Sequence, residues 1–133
     1  MNLSRWLGHV LGIGGVLETA TGLVLLADPS WLASLLLRAP LAGAGLVIGR
    51  IGGGGLLSLG VACWTARTTP WSPAGLGVAC GLLAYNVVAG VALAVAGRAL
   101  GGEGLVALCA AGLHGVIGAV LLIALLGRAP RGV

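Results

Sequence analysis

The sequence contains no phenylalanine and only one tyrosine, and aromatic residues make up 4% of it. Charge is nearly as scarce, at 8% of residues. Hydrophobic residues reach 59% and the mean hydropathy is +1.13. A soluble domain of 133 residues has too little interior to hide that much apolar surface, so the composition excludes a water-soluble globule and makes lipid the solvent. The net charge is +4, but the basic residues are scattered singly. With no basic cluster and no aromatic-interleaved basic patch, nucleic acid is excluded as a partner.

Cysteine and histidine are also sparse. Cys63, Cys80 and Cys109 form no C-x-x-C pair and no metal-ligand spacing, and are read as small buried hydrophobes. The missing thiol pair argues against a quinone-linked disulfide oxidoreductase. His9 and His114 are the two histidines. Counted along their helices they differ in depth by ~13 Å, which excludes a single haem held by both. His9 is read as interfacial. No cofactor and no metal are expected.

What the chain has in abundance is apolar run and glycine. Four apolar stretches, about residues 6–27, 41–66, 74–97 and 105–127, are separated by short breaks. Each is long enough to cross the ~30 Å hydrocarbon core as a helix. None alternates as a barrel strand does, and lipid leaves only helices or closed barrels. The connections are too short for a soluble domain. The expected fold is all-α: one integral-membrane, antiparallel four-helix bundle spanning residues 1–133. The first run is longer than a secretory h-region and lacks a small-residue cleavage site, so it reads as a retained span.

The first connection carries its own helical signal. Trp31, Leu32, Leu35 and Leu36 recur at helical spacing after Asp28-Pro29 and before Ala39-Pro40. A short interfacial helix over the mouth of the bundle is expected there. Arg5, Arg67, Arg128 and Arg131 fall on the side that carries both termini, against Arg38 and Arg98 on the other. That bias predicts a multi-pass protein of the bacterial inner membrane with both termini cytoplasmic. Trp6, Trp64 and Trp71 form the matching aromatic belt.

The candidate site is a polar layer. Glu18 stands in the middle of the first span, where a charge costs at least ~2.5 kcal/mol and must face protein or water. Counted from the outer ends, Glu18 and Arg50 lie ~14 Å deep, Asn86 ~16 Å with Tyr85 beside it, and His114 ~14 Å. The equal depths predict a Glu18–Arg50 ion pair, with Tyr85, Asn86 and His114 in the same layer. Gly22, Gly54, Gly90 and Gly118 each follow one of these polar residues by four positions, which leaves a gap on the same helical face. Arg50 would supply a fixed charge, His114 a titratable ring, and Tyr85 and Asn86 orienting hydrogen bonds.

Glycine also forms ridges, Gly45-x3-Gly49-x3-Gly53 and Gly77-x3-Gly81, which call for close helix partners inside the subunit or in a homo-oligomer. The run Gly49-Arg50-Ile51-Gly52-Gly53-Gly54-Gly55 lacks the spacing and Lys-Ser/Thr ending of a phosphate loop.

Glu18 in the first span, Gly49-Arg50-Ile51-Gly52-Gly53 and Ala62-Cys63-Trp64 in the second, Tyr85-Asn86 and Leu113-His114 resemble a family of small bacterial four-helix inner-membrane proteins. More remotely the chain is similar to the DoxX-like group. That group's loose link to redox and thiol chemistry has no support in these cysteine positions.

Three functions follow as expectations. The first is binding or transport of a small polar or anionic molecule at Glu18, Arg50, Tyr85, Asn86 and His114, with proton coupling through Glu18. The second is a non-catalytic scaffold subunit of a larger membrane complex. The third is an intramembrane enzyme acting on a lipid or quinone-like substrate, with His114 and Glu18 as acid and base.

Overall fold

A computed structural model of the chain describes residues 3–127. It is helical along almost its whole length: α1 (Leu3–Ala27), α2 (Pro29–Leu37), α3 (Ala44–Ala66), α4 (Pro73–Ala99) and α5 (Leu105–Leu126), with a 3-10 turn at Gly101–Gly104. The four long helices are long and apolar enough to cross a membrane, and little of each is buried inside the chain. Ile48, Ile51, Val88, Val95, Ile123 and Leu126 stand well exposed, as lipid-facing residues do. The chain is thus a multi-pass, antiparallel four-helix bundle with one short extra helix.

Local chemistry sets the helix ends. Asp28 caps α2 by accepting from the Trp31 N–H at 3.0 Å, and Pro29 takes the first turn, where its missing N–H costs nothing. Arg38 closes α2 in the left-handed region at φ 56°. Ser72 caps α4 through the Gly75 N–H at 3.0 Å, followed by Pro73.

The long helices associate as two hairpins, α1 with α3 and α4 with α5. The first is a seam of small residues at steps of seven. Gly15 and Gly22 of α1 meet Gly60 and Gly53 of α3, and Gly8 meets the backbone carbonyl of Arg67, the residue that caps α3. A Cβ on Gly22 would sit 2.6 Å from the Leu57 nitrogen and 2.7 Å from the Gly53 oxygen, so backbone lies on backbone. A seven-residue step keeps one seam in register along a left-handed pair, and without a side chain dispersion is gained at the shortest distance. In the second hairpin Gly97 and Gly104 touch directly.

The ridges expected from sequence divide differently. Gly53 belongs to the α1 seam, while Gly49 lies under Pro29 and Leu41 at the base of α2. A Cβ on Gly77 or Gly81 would meet nothing within 4 Å.

The hairpins join at one end through Leu7 and Leu11, Cys63 and Ala66, Ala79 and Leu82, and Leu121 and Ala124, two residues from each long helix. At the opposite end α2 touches all four long helices, and its own Pro29 and Ala33 are the residues it buries. The Ser30 hydroxyl accepts from the Leu41 N–H at 3.1 Å, which ties the connection back onto α2. Arg38 Nε donates to the Glu103 carbonyl at 3.4 Å, so the two connections at that end meet. The expected short helix over the mouth of the bundle is α2.

Candidate functional site

The interior face of α1 is a stripe of Leu7, Leu11, Gly14 and Glu18, spaced by threes and fours and all buried. Gly14 fixes what the stripe looks at, because a Cβ there would lie 2.7 Å from a Leu82 methyl. α1 and α4 run in the same direction, each starting at the Arg5 end. One turn beyond the Gly14–Leu82 contact, Glu18 therefore shares its level with Tyr85 and Asn86. Glu18 is 4% exposed, and no described residue donates a hydrogen bond to it or pairs with its charge. The Cys63 thiol and the Tyr85 hydroxyl are within its electrostatic reach.

On the α4–α5 side the polar residues do meet. Asn86, 1% exposed, donates from Nδ2 to its own helix at the Leu82 carbonyl, 2.8 Å away. That bond fixes the amide, so Oδ1 faces His114 Nδ1 at 2.8 Å. An amide oxygen can only accept; Nδ1 must carry the proton, and the neutral ring is left with Nε2 as a bare acceptor. Tyr85 stands edge-on to the same ring, with centroids 5.6 Å apart and planes at 81°. Gly90 lies 3.5 Å from the His114 Cβ and Gly118 3.8 Å from the Asn86 Cβ, measured from where their own Cβ atoms would be. The glycine of each helix makes room for the polar side chain of the other, so the four-residue offset does its work across the pair. Gly22 instead belongs to the α1–α3 seam, and a Cβ on Gly54 would meet nothing within 4 Å.

Asn86 and His114 floor a groove of about 560 Å³ between α4 and α5. Its walls are apolar, with Leu83, Val87, Val91, Leu108 and Leu122 among them.

Arg50 is not in this layer. It is exposed and no bond joins it to Glu18. Two features of α3 separate them. The glycine seam sets Glu18 opposite Leu57 and Arg50 seven residues further on, ~10 Å toward the α2 end. Arg50 also precedes Gly53 by three residues, and Leu56 follows it by three. These two positions turn to opposite sides of the seam, and Leu56 is the one that turns inward. The expected Glu18–Arg50 ion pair is thus absent, whereas Glu18, Tyr85, Asn86 and His114 share one level.

Of the three cysteines read as buried hydrophobes, Cys63 is fully buried in the core, whereas Cys80 and Cys109 are exposed. Sequence reasoning missed one side chain. Arg67 stacks its guanidinium 3.9 Å above the Trp64 ring, a contact that the i, i+3 spacing could have revealed. His9 is exposed, as an interfacial residue should be. No group of three or more His, Cys, Asp or Glu residues that could hold a metal occurs among the described residues. Arg128 and Arg131 lie outside them.

The class these features define is a multi-pass helical membrane protein with a buried polar cluster. No protein-family model, curated protein or solved structure matches the chain.

Proposed function

We propose that the protein binds a small amphiphilic molecule at Glu18, Tyr85, Asn86 and His114, entering by the groove between α4 and α5. The observation that carries this is the Asn86 amide. Held by the Leu82 carbonyl, it presets the His114 ring, leaving Nε2 without a hydrogen bond, and both side chains line the apolar-walled groove. A packing device alone would have used that nitrogen between helices. Glu18 adds a second unpartnered polar group at the same level.

With Arg50 outside, the cluster has no fixed cation. It offers acceptors, a hydroxyl and a carboxyl, which suits a guest that donates hydrogen bonds better than an anion. The chemical class is a hydroxylic ring or small alcohol with an apolar body. Movement of the guest across the membrane, coupled to a proton on Glu18, is an extension of the same proposal. So is kinship with the DoxX-like group, which rests on short motifs alone.

We also propose a bacterial inner membrane with both termini in the cytoplasm. Arg5 and Arg67 share one end of the bundle, where α5 also finishes, and Arg128 and Arg131 follow in sequence. Arg38 and Arg98 at the other end are accompanied by Asp28 and Glu103.

Thermal unfolding in detergent with hydroquinone and with benzoate tests the site, since the two probes share a ring and differ in donors and charge. A rise in unfolding temperature with hydroquinone that vanishes in His114→Leu supports the proposal. A rise with benzoate alone, no rise with either, or a rise indifferent to His114→Leu overturns it in favour of a scaffold role.

A further inference from the structure

The α1–α3 hairpin carries a second groove, away from the polar cluster, on the outward face of the bundle. It measures about 890 Å³ and is lined by Arg5, Gly8, His9, Gly12, Ile13, Val16, Leu17, Trp64 and Arg67. Its polar residues gather at one end. Arg5 and His9 are one turn apart on α1, and Arg67 comes across from the end of α3. No acidic side chain lines it.

Arg67 is held for this position. Its aliphatic stem crosses Gly12, with Cδ 3.6 Å from where a Cβ would stand, and its guanidinium rests on the Trp64 indole at 3.9 Å. Stacking on one face leaves the planar donor fork free at its edge, the geometry that matches a phosphate. Beyond Gly12 the groove is apolar. From Arg5 to Val16 it runs ~16 Å along the helix, about half of the ~30 Å hydrocarbon core and so the depth of one leaflet. At Val16 and Trp64 it passes into a third groove of about 470 Å³, lined by Gly15, Thr19, Ala20, Leu23 and Val61.

We propose that this groove binds one anionic phospholipid of the surrounding leaflet. Arg5 and Arg67 take the phosphate, and His9 hydrogen-bonds beside them. One acyl chain lies over Gly12, Ile13 and Val16, with its end passing Trp64 toward Leu23. Charge complementarity selects an anionic over a zwitterionic head, and the leaflet-length apolar track selects a lipid over a free phosphate. The lipid would bridge the seam between α1 and α3 on the side away from the polar cluster, so this site stands or falls independently of that one.

The experiment is native mass spectrometry of the full chain in mild detergent, titrated with phosphatidylglycerol, phosphatidylcholine or inorganic phosphate. Phosphatidylglycerol should bind roughly tenfold or more tightly than phosphatidylcholine, given two arginines near the head group. The double variant Arg5→Gln/Arg67→Gln should erase that preference, and Arg98→Gln at the other end should leave it intact. Gly12→Leu retains both arginines but fills the track, and should weaken both lipids together. Equal affinity for the two lipids, a preference that survives the double variant, or phosphate competing at the lipid's own concentration would overturn the proposal. Should the double variant not fold, undiminished lipid binding by Gly12→Leu overturns it alone.

Discussion

The Asn86 amide oxygen faces His114 Nδ1 at 2.8 Å, and the same amide's nitrogen is spent on the Leu82 carbonyl. The two bonds make α4 the holder and the α5 ring the part held. Asn86→Leu and His114→Leu should therefore be coupled in stability. Hydrogen bonds between membrane helices average ~0.6 kcal/mol, so the double variant should lose less than the two singles added, by about that amount. Unfolding of the three variants in mixed micelles measures it; strict additivity would mean that the bond does not form.

Glu18 and Arg50 should behave as strangers. They differ in level by ~10 Å and in helical face, so Glu18→Gln and Arg50→Gln should add to within ~0.5 kcal/mol. Arg50→Gln on its own, at an exposed position, should fall within about 0.5 kcal/mol of the parent. Glu18→Met, which replaces a carboxyl without a hydrogen-bond partner, on a residue only 4% exposed, by an apolar chain of similar length, should raise the unfolding temperature while reducing the hydroquinone effect. That is the exchange of stability for function expected of a binding residue. A destabilised Glu18→Met would show that the carboxyl has a partner after all.

Glycines that look alike in sequence should differ sharply in cost. Gly22→Ala puts a Cβ against the Leu57 nitrogen and Gly53 oxygen and should cost about 1–3 kcal/mol, as overpacking does. Gly52→Ala meets nothing within 4 Å and should be neutral or slightly stabilising through helix propensity. A matched pair of detergent melts separates the two.

Cysteine labelling reports the core directly. Cys63 is fully buried, whereas Cys80 and Cys109 are exposed on α4 and α5. With a membrane-permeant maleimide and intact protein, Cys80 and Cys109 should be modified first, and Cys63 only on unfolding. Mass analysis of the three sites over time would expose any early Cys63 adduct, which would contradict the packing at Leu7 and Leu11.

The helices were legible because lipid enforces one answer: a run such as residues 105–127 can only cross as a helix. α2 was legible from Asp28-Pro29 and its leucine spacing. The meeting of Asn86 with His114 followed from depth alone, since α4 and α5 are joined by a short turn that fixes their stagger. Depth failed for Arg50 because it was counted from an end at Leu41, whereas α3 begins at Ala44 after Gly43 in the left-handed region. That shift of three residues covers ~4.5 Å of the offset; the other ~6 Å arises because the seam sets Ala27 opposite Ile48, so α3 starts beyond the level where α1 ends, and rotation of the helix adds to it. The sequence did hold the missing information. Gly8, Gly15 and Gly22 keep the same seven-residue step as Gly53 and Gly60, and aligning those two series gives both the register and the face.

The pairing of the hairpins has a consequence in time. Chains enter the bilayer from the N-terminus, so α1 arrives carrying Glu18 before any of its neighbours has been made. A carboxyl at mid-span costs a lone helix a few kcal/mol, which the leucines and valines of α1 must outweigh. The glycine seam then lets α3 close on α1 at once, but it covers only one side of that helix. Tyr85 and Asn86 come later, with α4. Between those moments the nascent hairpin presents a naked acid to the membrane interior, and α4–α5 is the half that shelters it. Synthesis halted after α3 would leave an inserted but acid-exposing hairpin, a natural substrate for quality-control proteolysis.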